Sequence, residues 1–259
     1  VAGATYALRA LVLRKTKLAE SDLIVTLLAE DGRQVRAVAK GARKPSSPFS
    51  SRLEIFCEVD LLMASGKNLD IVKEARLVDA HRGLTADMEH AAAAAPMADL
   101  AARLCQPGLE SPKLFALSSS AFSHAERADA QGAAAVCAAY MLKAFSFAGF
   151  RPSLRRCVVC GALLAFDAVT ESRVGVRFSV AEGGAVCDSC LLFSDAVRVP
   201  AEVLSWADFL LMSTFDAVAR QAPPVRVSFE VLHVCQSWAR EHLGSRIKSL
   251  EFLFVSGVF

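Results

Sequence analysis

From residue 6 to about 80, apolar positions fall in short alternating or continuous runs set apart by turn-forming residues, the period-two pattern of strands. The pattern predicts five, at roughly 6–14, 22–29, 33–42, 53–64 and 69–79. Glu30-Asp31-Gly32 joins the second to the third, with Asp-Gly supplying the positive backbone angles of a tight hairpin. Residues 45–51, rich in Ser and Pro, read as a flexible break. After Leu84 the composition turns to Ala and Leu, and helices are predicted at 91–104 and 132–147, with Pro96 kinking or restarting the first. Strand-like alternation returns between Cys157 and Cys190, with Val174, Val176, Phe178 and Val180 on one face. Helix resumes over 201–219, stops at Pro223-Pro224 and restarts with Ser228 as N-cap; Val231, Leu232, Cys235, Trp238 and His242 then share a face.

These elements make an α+β multidomain chain. Five short strands in so little sequence predict a small barrel, of which the five-stranded oligonucleotide-binding (OB) barrel is the commonest form. The expected domains are the barrel over 1–80, an all-α helical domain in two parts over 81–155 and 196–259, and a small inserted module over 156–195. Of the 259 residues 54% are apolar, and the mean hydropathy is +0.37. No uncharged apolar run reaches the roughly 18 residues of a membrane span, and the nearest, 133–150, is interrupted by Lys143, so it reads as a buried helix. Neither a secretory signal nor a membrane anchor is expected.

Charge matters by position rather than by sum, since 29 Lys and Arg stand against 27 Asp and Glu. Between Gly32 and Leu53 lie Arg33, Arg36, Lys40, Arg43, Lys44 and Arg52, with no acidic residue. Arg36 and Lys40, four apart on one strand, face the same side. Such a stripe suits a phosphate backbone, which attracts cations regardless of base sequence, so DNA or RNA binding is expected. A solvated basic edge that deters strand pairing is the other reading. Only Phe49 and Phe56 are near enough to stack on bases, so backbone electrostatics should dominate.

Four of the eight cysteines form two C-x-x-C pairs, Cys157/Cys160 and Cys187/Cys190, separated by 26 residues that a β-hairpin can span. Four thiolates close a tetrahedron around Zn2+, leaving no position for water or substrate, so the metal would be structural. Gly161 allows a tight first knuckle, while Leu191 stands where a second would prefer Gly. A thioredoxin-like redox pair, without its βαβ context here, and a vestigial site are the alternatives. Cys57, Cys105, Cys137 and Cys235 lie in apolar stretches and read as core. His124-Ala125-Glu126 ahead of Cys157 and Cys160 also matches a zinc-dependent nucleoside or base deaminase. Against it, Arg156 sits where those enzymes have Pro, the second cysteine pair goes unexplained, and α/β alternation is missing; the plain reading of His124 is a polar residue in a helix linker. Phosphate-binding loops and common hydrolase motifs are absent, so ATP hydrolysis and such hydrolase chemistry are unsupported. The tail 252–255 reads as core.

Taken together, Glu20-Ser21-Asp22-Leu23-Ile24-Val25-Thr26-Leu27-Leu28, Gly32, Val38-Ala39-Lys40-Gly41-Ala42-Arg43, and His242-Leu243-Gly244 with Lys248-Ser249-Leu250 resemble the RecO family over nearly the whole chain. The resemblance implies an OB-fold amino-terminal domain, a helical domain and bound zinc at the four cysteines. It implies a cytoplasmic, nucleoid-associated recombination mediator without catalysis, which binds single- and double-stranded DNA and anneals complementary strands. The implied partners are RecR, the carboxy-terminal tail of single-strand binding protein and, indirectly, RecA. DNA contact carries over to Arg36, Lys40, Arg43 and Lys44, with Arg33 and Arg52 as further candidates. A helical adaptor whose barrel binds only protein is the remaining alternative.

Overall fold

The computed structural model describes residues 4–164, 175–193 and 195–259, in two compact units, Val1–Glu126 and Arg127–Phe259. In the first, β1 (Thr5–Leu18), β2 (Asp22–Ala29), β3 (Gln34–Ala39), β4 (Glu58–Ala64) and β5 (Asp70–Asp79) close into a barrel in the order β1-β2-β3-β5-β4. All neighbours are antiparallel except β3 and β5. Alternation decides what the barrel encloses: Val25, Leu27 and Ala29 of β2 and Val35, Ala37 and Ala39 of β3 point inward with Leu8, Ala10 and Val12 of β1. A slip of one residue would turn this whole set to solvent, so the pattern also fixes the register.

Three strand limits differ from the pattern. β1 runs on to Leu18 because it keeps pairing with β2 past a bulge between Val12 and Arg14. β3 stops at Ala39, ahead of a turn in which Gly41 takes φ +65°. β4 begins only at Glu58, because Phe56 has φ +77° and residues 53–57 form a turn whose Leu53 and Cys57 close the barrel core. The Asp31-Gly32 hairpin forms as expected, with Gly32 at φ +88°. A Cβ there would stand 2.0 Å from the Ser111 carbonyl, so the position admits only glycine.

Two helices complete this unit. α1 (Met88–Leu104) starts at Asp87, whose carboxylate accepts the His90 amide, and it runs unbroken through a buried Pro96. It packs on β1 and β2, where the paired, outward-facing Leu11 and Leu28 are fully buried. Gln34 fastens it by donating to the carbonyls of Ala102 (3.0 Å) and Cys105 (3.1 Å). α2 (Pro112–Arg127) begins with proline at its first position, where a missing N–H costs nothing.

In the second unit α3 (Ala130–Phe147) is the central helix, buried from Gly132 to Leu142 and again at Ala144 and Phe145. Its alanines let neighbours approach on several sides: α4 (Ala201–Met212), α5 (Phe215–Arg220) and α6 (Val225–Leu243) all pack on it, and α7 (Lys248–Val255) follows. The helix expected over 201–219 is two, because Thr214 turns extended and its hydroxyl accepts the Ala217 amide as a new N-cap. Ser228 is not a cap. Pro224, with φ −51°, starts α6 by accepting the amides of Val227 and Ser228, which leaves Ser228 buried in the first turn. Val231, Leu232, Cys235 and Trp238 do share the buried face, and His242 Nε2 lies 3.0 Å from the Val180 carbonyl.

The inserted segment carries a three-stranded antiparallel sheet, β7 (Gly184–Val186), β6 (Gly175–Ser179) and β8 (Val197–Pro200), with β6 in the middle. Val176 and Phe178 share one face as expected; Val174 lies outside the described residues. Among the described residues, no helix is long and apolar enough to cross a membrane.

Candidate nucleic-acid interface and metal centre

The six cations of the basic stretch fall into two kinds. Arg36 projects outward from β3 opposite Thr26, beside the half-buried pair Ile24 and Val38. Lys40 and Lys44 follow in the turn after the strand, and all three are exposed, their side chains without a hydrogen bond or ion pair among the described residues. Arg43, Arg52 and Arg33 are engaged. Arg43 donates to the carbonyls of Ala19 (3.0 Å) and Glu20 (2.8 Å), and so ties its loop to the β1–β2 turn. Arg52 donates to the Ala75 carbonyl at 2.9 Å. Both acceptors are neutral, so the positive charge persists. Arg33 pairs with Asp31 at 2.9 Å, an exposed pair worth roughly 0.2–1 kcal/mol.

Asp22, which the charge pattern passed over, organises the loop. Its carboxylate accepts the Gly41 amide at 2.7 Å and the Ser21 hydroxyl at 3.1 Å. The Gly41 amide foremost, then Ser21 and the nearby charges of Lys40 and Lys44, hold its pKa below the ordinary carboxylate value against the cost of desolvation. Sequence reasoning also missed Lys73 of β5. With Phe49, Arg52, Leu62 and Arg76 it lines an open groove of about 740 Å³ between the 48–52 segment and the outer face of β4 and β5. Strict alternation from the buried Ala75 would have turned it inward; it faces out because a bulge, with Leu62 opposite Glu74 and Met63 opposite Val72, inserts it as an extra residue. Arg76 there is held by Asp60 at 2.6 Å, which also binds Arg9 at 2.9 Å. These two arginines draw the Asp60 pKa down to about 2.

The four cysteines of the C-x-x-C pairs converge, their sulfurs all within 4.8 Å of one another. Cys160 and Cys187 Sγ are 3.7 Å apart, close to the roughly 3.8 Å edge of a tetrahedron with about 2.3 Å zinc–sulfur bonds. The first knuckle closes through Gly161, at φ +75°, whose amide donates to the Cys157 carbonyl at 2.8 Å. The second needs no glycine, because Asp188–Phe193 continues as a 3-10 turn with the Cys190 amide on the Cys187 carbonyl. Burial opposes ionisation of Cys157, but amide donors led by Cys187, at 3.4 Å, outweigh it and bring the pKa to about 6. Cys190 is pushed up to about 12, first by its contact with Cys187 and then by burial. Sulfurs this close cannot all ionise unaided, and a divalent cation removes that conflict. The donor set and spacing therefore fit a metal ion held by Cys157, Cys160, Cys187 and Cys190.

The deaminase arrangement is not assembled. Cys157 and Cys160 have Cys187 and Cys190 as neighbours, and the Glu126 carboxylate is committed within the first unit to the Gly83 amide (2.9 Å) and to His81 Nδ1 (3.0 Å). His124 lies on α2 rather than in a linker, and its Nδ1 donates to the Ser120 carbonyl at 2.7 Å. Cys57, Cys105, Cys137 and Cys235 are buried, and desolvation raises the pKa of each.

The model of the Recombination protein O N-terminal family matches residues 4–81, and that of the Recombination protein O C-terminal family matches residues 85–251. A DNA repair protein RecO of Bifidobacterium animalis subsp. lactis is 36% identical over 256 residues, covering 96% of this chain and 99% of that protein. A DNA repair protein RecO of a Nocardioides species is 36% identical over 253 residues, covering 96% and 98%. The barrel, the helices and the cysteine cluster all lie within that shared length, and the chain belongs to the RecO family.

Proposed function

We propose that the chain acts in DNA repair as a recombination mediator of the RecF pathway, without making or breaking covalent bonds. It binds single- and double-stranded DNA, anneals complementary strands, and with RecR helps to load RecA onto DNA covered by single-strand binding protein. The observation that carries this reading is the set Arg36, Lys40 and Lys44, exposed and unpaired on the edge of a barrel in a chain of this family. Annealing requires two polyanions to approach. Cations that grip phosphates lower the repulsion while leaving the bases free to pair, and a contact built on solvated charge stays reversible. Arg33, Arg43 and Arg52 reinforce the field, residues 1–80 form the DNA-binding domain, and the helical parts dock the tail of single-strand binding protein. Zinc at Cys157, Cys160, Cys187 and Cys190 holds the 156–195 module together and takes no part in chemistry.

The test is the salt dependence of binding to a labelled single-stranded oligonucleotide, with ATP-free annealing of complementary strands measured beside it. Log affinity should fall by about 0.7 per phosphate contact for each decade of salt, and the double variant Arg36→Glu/Lys40→Glu should flatten that slope by roughly 1.4 and slow annealing. An affinity that ignores both salt and the substitutions would leave a barrel that binds only protein.

A further inference from the structure

The sheet β7-β6-β8 has two unlike faces. Phe178 and Val199 point to one, where both are buried and the Phe178 ring lies 5.9 Å from Trp238 of α6. Register sets the other. Arg177 of β6 stands directly opposite Val186 of β7 on one side and Arg198 of β8 on the other, and directly opposed residues share a face. Val186 is buried there against Cys157 and Cys190. Arg198 is exposed and Arg177 half-buried, and neither has an acidic partner or a hydrogen bond among the described residues.

Like charges directly opposite one another destabilise an antiparallel pair. A sheet with three residue pairs between β6 and β7 and four between β6 and β8 has little margin to absorb that. The arrangement is nevertheless built with care. A Cβ on Gly175 would meet Arg198 Cβ at 3.1 Å and its Cγ and Cδ at 3.4 Å, so the bare glycine lets the Arg198 stem lie along β6. Two guanidinium forks on one face, with no carboxylate paired to either among the described residues, match the non-bridging oxygens of a phosphodiester, which accept from arginine in pairs.

We propose that this face is a second nucleic-acid contact, with Arg177 and Arg198 as a two-pronged clamp on the sugar-phosphate backbone. It rests on the DNA-binding reading above but lies in the other compact unit, so one molecule carries a phosphate-gripping surface on each unit. A protein that anneals must hold two strands, and two such surfaces let each engage one. The rival role for the pair is local, as counter-charges to four metal-bound thiolates on the same face.

The test uses the full zinc-loaded chain and two double variants, Arg177→Gln/Arg198→Gln and Arg36→Gln/Lys40→Gln. Each is measured for oligonucleotide affinity against salt, annealing rate, zinc content and thermal midpoint. For Arg177→Gln/Arg198→Gln the proposal expects full zinc content and an unchanged or higher midpoint at low salt, since a repulsion has been relieved. Its salt slope should flatten by about 1.4, two contacts at about 0.7 each, and annealing should slow. An unchanged slope, or a lower midpoint with loss of zinc, overturns the clamp; the latter would assign the pair to the metal. If only the Arg36→Gln/Lys40→Gln variant loses affinity, the barrel reading stands and the clamp falls. If only Arg177→Gln/Arg198→Gln does, the clamp stands and the barrel reading falls.

Discussion

Removing the metal from the four-cysteine site should unfold the segment around it while the helical core of the same unit stays folded. The apolar support on the metal side of that segment is slight. Among the described residues the buried cluster there is Cys157, Val186 and Cys190, in which Val186 contributes about 1.5–3 kcal/mol, while Phe178 is buried on the opposite face of the sheet beside Trp238. Zinc sites in small finger modules supply about 10–16 kcal/mol near neutral pH, several times as much. Once the cation leaves, sulfurs 3.7 Å apart must take up protons, starting with Cys190, whose pKa is already pushed up to about 12. Hydrogen exchange read by mass spectrometry gives the assay, with a colorimetric chelator counting the metal released. The amides of Cys157, Val158 and Ala185, bonded to the carbonyls of Ala162, Ala185 and Ser153 at 2.8–2.9 Å, should lose protection. Those of α3 and α6, packed against one another, should keep it. Cys187→Ser should reproduce the chelated pattern, and His124→Ala should retain the metal. Protection that survives chelation, or metal that depends on His124, would refute the reasoning.

Lys143 makes a pH signature. Its ammonium donates to the carbonyls of Leu211 and Ser213, both at 2.7 Å, yet burial foremost, and then Arg151, lowers its pKa to about 8. Because the unfolded value is about 10.4, the unfolded chain binds more protons between those limits, and stability rises with pH across that window. After discounting for partial exposure the rise is about 1–2 kcal/mol, and Lys143→Met should abolish it in urea titrations from pH 7.5 to 10.5. Gly32→Ala should destabilise the first unit by roughly 3 kcal/mol or more, since it adds strain at φ +88° to a clash with the Ser111 carbonyl, and a thermal midpoint unchanged within error would contradict the hairpin geometry.

The barrel was legible because alternation and turn chemistry agree: the inward residues of β2 and β3 can be read off as every second position, and Asp31-Gly32 marks the hairpin. Its limits were not. Residues 14–17, Arg-Lys-Thr-Lys, carry no apolar signal, and only pairing with β2 keeps them extended. Residues 53–57 look like strand because their apolar side chains close the barrel, a role alternation cannot distinguish from a place in the sheet. The cysteine cluster was legible from spacing alone, since two C-x-x-C turns can meet around one ion whatever lies between them. What sequence could not give was the long-range acceptor: nothing near Arg43 or Arg52 announces the carbonyls of Ala19, Glu20 and Ala75, and nothing near Glu126 announces the Gly83 amide.

Those acceptors bear on function because a guanidinium bound to a neutral carbonyl keeps its full charge and loses its reach. At physiological salt, where screening takes hold over about 8 Å, Arg43 and Arg52 still add to the positive field of the loop. On the proposed reading they would draw a strand toward the barrel with one nitrogen of each guanidinium already engaged. Arg36, Lys40 and Lys44 have no side-chain hydrogen bond or close ion pair among the described residues to break before they bind, and Arg33 has only the weak exposed pair with Asp31. On the proposed DNA-binding reading the stripe separates steering from contact: few contacts with a broad field would give the fast association and shallow well that a protein releasing two paired strands needs.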